Sequence, residues 1–179
     1  MDEEEVIRDI LAGNVNRYEE IVREYQTIVA NLCYKFGGNK VDIPELTQQV
    51  FVELYDALPR FKFQSKLSTF IYRITINVAC KDAKYRKRLA DPGEEDYRPE
   101  PASDDRNAEQ RIIYEERMRM LRQAIGRLHR EQRTALVLYT YNDFSYNDIA
   151  EVMQCTTAKV ESLIFRARKN LGKMLDSMR

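Results

Sequence analysis

Residues 145–171 read SYNDIAEVMQCTTAKVESLIFRARKNL. Ser145 stands three positions before Asp148, which is the spacing of a capping box, and its hydroxyl can accept the backbone N–H of Asp148 to begin a helix. A tight turn follows, and Thr156 is suited to cap a second helix. Apolar residues at helical spacing can pack the two helices together, namely Ile149, Met153, Val160, Leu163 and Ile164. The stretch therefore predicts a helix-turn-helix.

The second helix of this motif carries hydroxyl and basic side chains on the side away from that core. In helix-turn-helix proteins this helix lies in the DNA major groove, where its N-terminal residues meet base edges and nearby cations anchor phosphates. The outward residues are Thr157, Lys159, Ser162, Arg166, Arg168, Lys169 and Lys173. We favour duplex DNA binding here over a plain helical hairpin with a solvated basic face.

A second stretch, residues 60–88, mixes aromatic and basic residues. Cations can follow the phosphates of a single strand while aromatic rings stack on unpaired bases. One face of the predicted helix collects polar and basic residues opposite the apolar stripe, namely Arg73, Asn77, Lys81, Lys84 and Arg88. The alternative is an aromatic core beside solvated cations, which fits Phe70 better. For the stretch as a whole we favour single-strand binding.

Charge is distributed unevenly along the 179 residues, although the formal net charge is zero. Residues 1–59 contain 5 basic and 12 acidic side chains, whereas residues 60–90 contain 9 and 1. Residues 91–110 contain 2 and 8, and residues 111–179 contain 13 and 8. Two basic regions separated by an acidic one indicate surfaces for polyanions, because basic surfaces attract phosphates.

The acidic stretch 91–110 reads DPGEEDYRPEPASDDRNAEQ and holds three of the five prolines. It has too little apolar material to offset the entropy of ordering, so we predict a flexible linker. The halves on either side both show apolar residues at three- and four-residue spacing, which is typical of amphipathic helices. We therefore predict an all-α chain of two small helical domains, at residues 1–90 and 111–179.

The first domain is predicted to contain a short helix followed by three longer ones. The first of the longer helices begins near Tyr18 and stops at Gly37, and the next begins near Pro44 and ends at Pro59. Glycine ends helices readily, and proline suits a first helical turn. The last helix covers residues 67–89, and its predicted apolar face consists of Ile71, Ile74, Val78, Tyr85 and Leu89.

Few features favour an enzyme or a membrane protein. No apolar run approaches the roughly 18 residues of a membrane span, and the acidic N-terminus is unlike a secretory signal. The chain has one histidine, and it has no Walker, GxSxG or HExxH motif. Its cysteines, which lie too far apart for a CxxC pair, are Cys33, Cys80 and Cys155. We expect a cytoplasmic protein without catalytic residues, metal or other cofactor.

Two sets of motifs resemble those of bacterial sigma factors. The strings ELTQQVF at residues 45–51 and LYDALPRF at 54–61, followed by STFIYRI at 68–74, resemble domain 2 of that family. Residues 128–171, which include SYNDIAEV and RARK, resemble domain 4. A chain with only these two domains resembles an extracytoplasmic-function sigma factor. The resemblance implies a promoter-specificity subunit that directs RNA polymerase to −10 and −35 elements and performs no covalent chemistry.

The resemblance also implies partners for the chain. In the family, the helix of the ELTQQVF motif docks on the β′ clamp helices of core RNA polymerase, and the β flap is a further contact. The implied docking residues are Glu45, Gln48, Gln49 and Glu53. An acidic linker fits a basic channel of the polymerase. An anti-sigma factor is a further expected partner, and no membrane insertion is expected.

DNA-binding residues follow from the same resemblance, with the first domain opening the −10 element and the last helix reading the −35 element. The implied −10 residues are Phe61, Phe63, Lys66, Ser68, Thr69, Tyr72, Arg73, Asn77, Lys81 and Lys84. The implied −35 residues are Thr156, Thr157, Lys159, Ser162, Arg166, Arg168 and Lys169.

Two positions depart from the usual pattern of the family. Gln154 stands where the family often has glycine, and a left-handed backbone there would cost a non-glycine residue about 1–2 kcal/mol. We therefore expect this turn to differ from a left-handed one. Glu161 stands where a basic residue often precedes the serine of the recognition helix. It either accepts a hydrogen bond from a cytosine amino group or is simply solvated.

Two other classes of function were weighed against the sigma-factor hypothesis. A stand-alone regulator could bind duplex DNA through the C-terminal helix-turn-helix and use its first half for sensing or dimerisation. Such a regulator has no need for exposed stacking residues, so the aromatic and basic stretch at 61–88 argues against it. An enzyme acting on nucleic acid is disfavoured because the chain lacks clustered carboxylates and metal-ligand spacing.

Overall fold

The computed structural model shows helices as the regular elements of the residues that it describes, and no strands there. Those residues are 2–37, 42–89, 108–141 and 144–177. The prediction of an all-α chain is therefore confirmed.

The chain divides into two compact units, with the division between Asp96 and Tyr97. Most of the predicted linker at 91–110 lies outside the described residues. Its last three positions already belong to a helix, which begins at Ala108, three residues before the predicted start of the second domain.

Within its described residues, the first unit contains four α-helices and two short 3-10 helices. The α-helices are α1 (Glu3–Leu11), α2 (Tyr18–Gly37), α3 (Ile43–Ala57) and α4 (Leu67–Leu89). The 3-10 helices are Val15–Arg17, between α1 and α2, and Leu58–Arg60, directly after α3. Asp42 caps α3 by accepting the N–H of Glu45 at 3.0 Å. Pro44 lies in the first turn, where a backbone N–H would have no hydrogen-bond partner within the helix.

The core of the first unit forms where α2 packs against α3 and α4. Its fully buried side chains come from all four helices and include Val6, Ile7, Ile21, Val29, Leu32, Phe36, Val50, Leu54 and Ile71. The buried hydroxyl of Thr75 donates to the backbone carbonyl of Ile71 at 2.8 Å, so this polar group within the core is satisfied.

The predicted apolar face of α4 is correct for Ile71 and Val78 but wrong for Tyr85, whose side chain is 62% exposed. Buried residues of α4 continue to Ala79, and beyond that point Lys81, Lys84 and Tyr85 are all exposed. A helical period continued past the packed part of a helix predicts burial that no neighbouring element provides. The side chain of Leu89 lies outside the described residues.

Side chains at the start of α2 tie this helix to its neighbours. Arg17 pairs with Asp9 of α1 at 2.5 Å and with Glu20 of α2 at 2.9 Å. The Tyr18 hydroxyl donates to the carbonyl of Phe51 in α3 at 2.6 Å. Burial raises the pKa of Tyr18 above its ordinary value, so this hydroxyl remains a donor at neutral pH. These contacts fix α1 and α3 against the same end of α2.

The second unit contains the remaining four described helices. They are α5 (Ala108–Arg127), α6 (Arg130–Tyr141), α7 (Tyr146–Met153) and α8 (Thr157–Asp176). Helix α8 packs against α5, α6 and α7. The apolar contact between α6 and α8 is centred on Leu136 and Ala167, which are both buried.

Helices α7 and α8 form the predicted helix-turn-helix. The Ser145 hydroxyl accepts the N–H of Asp148 at 3.2 Å, and the Asp148 carboxylate accepts the N–H of Ser145 at 3.0 Å. Thr156 caps α8 by accepting the N–H of Lys159 at 3.2 Å. The predicted capping box and N-cap are therefore both present. The predicted core residues are buried except for Met153, which is half-buried.

The turn between α7 and α8 corrects one expectation. Gln154 has φ 53° and ψ 50°, so the backbone is left-handed although the residue is not glycine. The N–H of Cys155 donates to the carbonyl of Ala150 at 3.0 Å, which closes the end of α7. The geometry of the turn overrides the preference of its residue, and Gln154 bears the conformational cost.

Replacing that glutamine should stabilise the second unit. Gln154→Gly removes a left-handed cost of about 1–2 kcal/mol, and the added chain entropy of glycine offsets about 0.5–1 kcal/mol of the gain. We expect a net stabilisation of about 0.5–1 kcal/mol. Hydrogen exchange of the α8 amides measures it in this unit. Gln154→Ala keeps a Cβ and should leave exchange unchanged, and equal exchange in the two variants would contradict the prediction.

Candidate nucleic-acid interface

Helix α8 buries one face and exposes the other. Val160, Leu163, Ile164 and Ala167 are buried. The predicted −35 residues with exposed side chains are Thr156, Thr157, Lys159, Arg166, Arg168 and Lys169, whereas Ser162 is half-buried. The structure thus places this set on the accessible surface of α8 and its N-cap.

Lys159 is held by an acidic neighbour that sequence reasoning missed. Its ammonium lies 2.8 Å from a carboxylate oxygen of Glu131, near the start of α6. The pairing raises the pKa of Lys159 and lowers the pKa of Glu131, so both groups stay charged at neutral pH. Because the two residues are 28 positions apart, only the packing of α6 on α8 reveals the pair. A phosphate or base that approaches Lys159 competes with Glu131 for this ammonium.

Two further contacts join α6 to α8. The Arg168 guanidinium lies over the ring of Tyr139, 5.2 Å from its centroid. The Asn170 side chain donates to the side-chain carbonyl of Gln132 at 3.0 Å. Together with the Lys159 pair, these contacts position α8 from its N-terminal half to its C-terminal half.

Phe165 is a surface residue that sequence reasoning also missed. Its side chain is 67% exposed. It lies three residues after Ser162 and four before Lys169, so it shares their outward face. The signal was available in the sequence, because Phe165 falls outside the three-four register of Val160, Ile164 and Ala167.

In the first unit, an aromatic cluster ends in one exposed ring. Phe61 is buried, and its ring centroid lies 5.0 Å from the centroids of both Phe63 and Phe70. Phe63 is 40% exposed and has φ 55°, which is uncommon for a bulky residue. Strain of this kind often marks functional positions. Phe63 is therefore the ring of this cluster best placed to meet a ligand.

The other predicted −10 residues separate into accessible and packed groups. Thr69 is 5% exposed and lies between Leu67 and Ile71, both of which are buried. Thr69 and Phe61 are therefore largely packed in this structure, although part of Phe61 lines a pocket beside Phe63. Accessible or half-buried side chains remain at Lys66, Ser68, Tyr72, Arg73, Asn77, Lys81 and Lys84.

An open pocket of about 420 Å³ lies beside Phe63. Ser65 and Lys66 line it on one side, and acidic residues at the start of α1, among them Glu3 and Glu4, line the other. The pocket therefore combines an aromatic ring and one cation with hydrogen-bonding groups and three acidic side chains, Asp2, Glu3 and Glu4.

Helix α3 presents a mostly polar face to solvent. Glu45, Gln48 and Gln49 are exposed, and Glu53 is half-buried. Val52 lies on this face with 55% of its side chain exposed, which sequence reasoning missed because it sought only polar residues there. An accessible apolar side chain among polar ones is typical of a protein-binding surface. We call Glu45, Gln48, Gln49, Val52 and Glu53 the docking face.

Other chemistries find little support in the described residues. No group of three or more His, Cys, Asp and Glu side chains there is arranged to hold a metal ion. No helix within the described ranges is long and apolar enough to cross a membrane. The three cysteines are not in disulfides, and burial raises the pKa of Cys33 to about 11, which keeps that thiol protonated.

Comparison with known protein families matches both units. Residues 21–89 match Sigma-70 region 2, and residues 118–171 match Sigma-70, region 4. The chain is 30% identical to the RNA polymerase sigma-H factor of Pseudomonas aeruginosa, over 98% of this chain and 95% of that one. The chain belongs to the extracytoplasmic-function sigma factors. It is a promoter-specificity subunit of RNA polymerase.

Further relatives agree with this assignment. The sigma factor is 27% identical to the ECF sigma-E factor of Escherichia coli K12, over 97% of this chain and 94% of that one. Its fold is similar to that of CnrH in complex with the cytosolic domain of CnrY, with TM-score 0.65, 21% identity and 96% of each chain covered. The match to region 2 disfavours the stand-alone regulator, because that reading accounts only for the C-terminal motif.

The fold is also similar to that of the sigma factor RpoE of Bartonella quintana, solved with the anti-sigma factor NepR. The TM-score is 0.64 at 19% identity, with 90% of this chain and 98% of that one covered.

Removing Glu131 should strengthen binding of the sigma factor to duplex DNA. In Glu131→Gln, Lys159 can bind DNA without first losing its ion pair with Glu131. We therefore expect the affinity for a −35 duplex to rise roughly two- to fivefold. Fluorescence anisotropy at low salt measures it. Asp176→Asn removes the same charge at the far end of α8 and serves as the control. An equal gain in that control would show that only net charge matters, and adding Lys159→Gln should abolish any excess gain.

Proposed function

We propose that this sigma factor engages polymerase and promoter through three surfaces on separate helices. The docking face of α3 binds core polymerase. Phe63 and the cations of α4 capture the opened −10 strand, and the exposed face of α8 reads the −35 duplex. The observation that carries the proposal is Phe63, a partly exposed ring with a positive φ that lies four residues before the basic helix α4.

The composition of the docking face supports polymerase binding. Protein interfaces commonly place apolar side chains at their centre and polar side chains around them. Val52 occupies such a position between Gln48 and Glu53. Opposite this face, Leu46, Val50 and Leu54 are buried, so α3 is fixed while its outer residues stay accessible. We assign the β′ clamp helices as the partner surface, as the family resemblance implies.

At the −10 element, we assign base stacking to Phe63 and phosphate contacts to Lys66, Lys81 and Lys84. Capturing a base requires unstacking it from the duplex, and stacking on an aromatic ring offsets this cost. The pocket beside Phe63 offers room for a captured base. Thr69 acts indirectly, because it packs behind the exposed residues, whereas Phe61 supports the ring of Phe63 and lines part of the same pocket.

At the −35 element, we assign different residues along α8 to bases and to phosphates. The outward ring of Phe165 suits contact with a thymine methyl group in the major groove. The exposed cations Arg166, Arg168 and Lys169 suit phosphates on either side of it. Thr157 and Ser162 can bond to bases or phosphates nearer the start of the helix.

An anti-sigma factor is part of the proposal. The solved relatives CnrH and RpoE are each bound to a second protein, the cytosolic domain of CnrY and the anti-sigma factor NepR. A partner that covered the docking face of this chain would exclude polymerase by direct competition. The apolar surface at Val52 would be among the contacts hidden.

Placing a charge in the docking face should impair polymerase binding. Val52→Asp is expected to lower affinity for core polymerase by more than about tenfold, because the new carboxylate would lose water at the interface. Competition with the wild-type chain for core enzyme measures the loss. Val15→Asp is the matched control, since Val15 is 52% exposed in the same unit but lies outside the docking face. Equal losses in both variants would remove the assigned face.

Truncating the exposed ring should impair promoter opening. Phe63→Ala is expected to reduce open-complex formation roughly tenfold, because one stacked base contributes about 1–3 kcal/mol. The fluorescence of 2-aminopurine in the non-template −10 strand reports opening. Leu11→Ala, another exposed apolar residue of this unit, is the control, and Phe63→Tyr should retain opening. A Phe63→Ala protein that opened promoters like the wild type would refute the assignment.

A further inference from the structure

Glu161 is an acidic residue in the middle of a surface that must approach DNA. Its side chain is exposed on α8, and no other acidic residue occurs in the segment 157–166. Within the described residues it makes no hydrogen bond or ion pair. It lies one turn before Phe165, offset by about 40° around the helix axis. A duplex seated against Phe165 therefore brings base edges near this carboxylate.

The surrounding charges make that position unusual. Over residues 157–165 of α8 the cation is Lys159, and Glu131 already pairs with it. The other cations of the helix begin at Arg166 and lie further along. Residues 157–165 of α8, which approach base edges, thus offer a carboxylate, hydroxyls and a phenyl ring. The cations available for phosphates begin directly after them, at Arg166.

We propose that Glu161 selects a cytosine in the −35 duplex by accepting a hydrogen bond from its N4 amino group. The proposal rests on the function assigned above to α8, namely major-groove binding. A carboxylate can only accept hydrogen bonds, and the donors in the major groove are the amino groups of cytosine and adenine. Guanine O6 and N7 and thymine O4 are acceptors and would repel it.

Cytosine fits this carboxylate better than adenine. Adenine presents the N7 acceptor beside its amino group, so the second carboxylate oxygen would face a lone pair. Cytosine presents a C–H beside its amino group and creates no such conflict. Glu161 is also repelled by phosphates, which weakens non-specific binding and increases discrimination between sites.

Selection from a promoter pool tests the proposal with the whole chain bound to core polymerase. The −35 region is randomised, and a fixed premelted −10 region keeps retention independent of promoter opening. We expect the wild type to enrich cytosine at one position. Glu161→Ala should lose the preference at that position alone, and Glu161→Gln should also accept guanine or thymine there. Asp176→Asn, which removes one acidic charge at the far end of α8, should enrich the same sites as the wild type.

A base analogue isolates the amino group. Replacing the selected cytosine by a pyrimidin-2-one nucleotide, which lacks that group, should weaken wild-type binding about tenfold beyond any loss in Glu161→Ala. If wild type and Glu161→Ala enrich the same bases, or lose equally with the analogue, Glu161 is only solvated and the proposal is overturned. If the wild type enriches no base at any position, −35 reading by α8 itself fails, which is a separate result.

Discussion

Helices α3 and α8 must each bury one face to be fixed in the fold and leave the opposite face exposed for the proposed partner. With about 3.6 residues per turn, a helix meets this constraint only if apolar residues recur every three or four positions and other chemistry occupies the rest. Helix α3 buries Leu46, Val50 and Leu54 beneath the docking face. Helix α8 buries Val160, Ile164 and Ala167 beneath Phe165 and its cations. Loss of either buried stripe would remove the binding surface with it.

Features set by local chemistry could be predicted from the sequence. The capping box of Ser145 and Asp148 and the N-cap at Thr156 depend on residues three positions apart, and both are present. The helical stripes of α2 and α3 were predicted for the same reason. Features that depend on tertiary packing could not be predicted. The pair of Lys159 and Glu131 requires α6 to lie against α8, and the exposure of Tyr85 depends on where the neighbours of α4 end.

Burial also refines the candidate site within one stretch. The family resemblance placed Phe61, Phe63 and Thr69 together as DNA contacts, and sequence alone does not distinguish packed from exposed side chains. The structure places Phe61 and Thr69 in the core and leaves Phe63 accessible with a positive φ. Conversely, Val52 and Phe165 were passed over as apolar, although exposed apolar residues can form the centre of a binding surface. Their offset from the buried stripe was the signal.

The contact of Arg168 with Tyr139 bears on how long a promoter complex lasts. A long flexible side chain normally loses rotamer freedom when it binds a phosphate, and this loss of conformational entropy opposes binding. The Arg168 guanidinium already contacts the Tyr139 ring, so its side chain loses less rotamer freedom when the duplex binds. We therefore expect the proposed contact of Arg168 with a phosphate to act mainly by slowing dissociation of the promoter complex. Affinity differences among variants of one interface arise mostly in the dissociation rate.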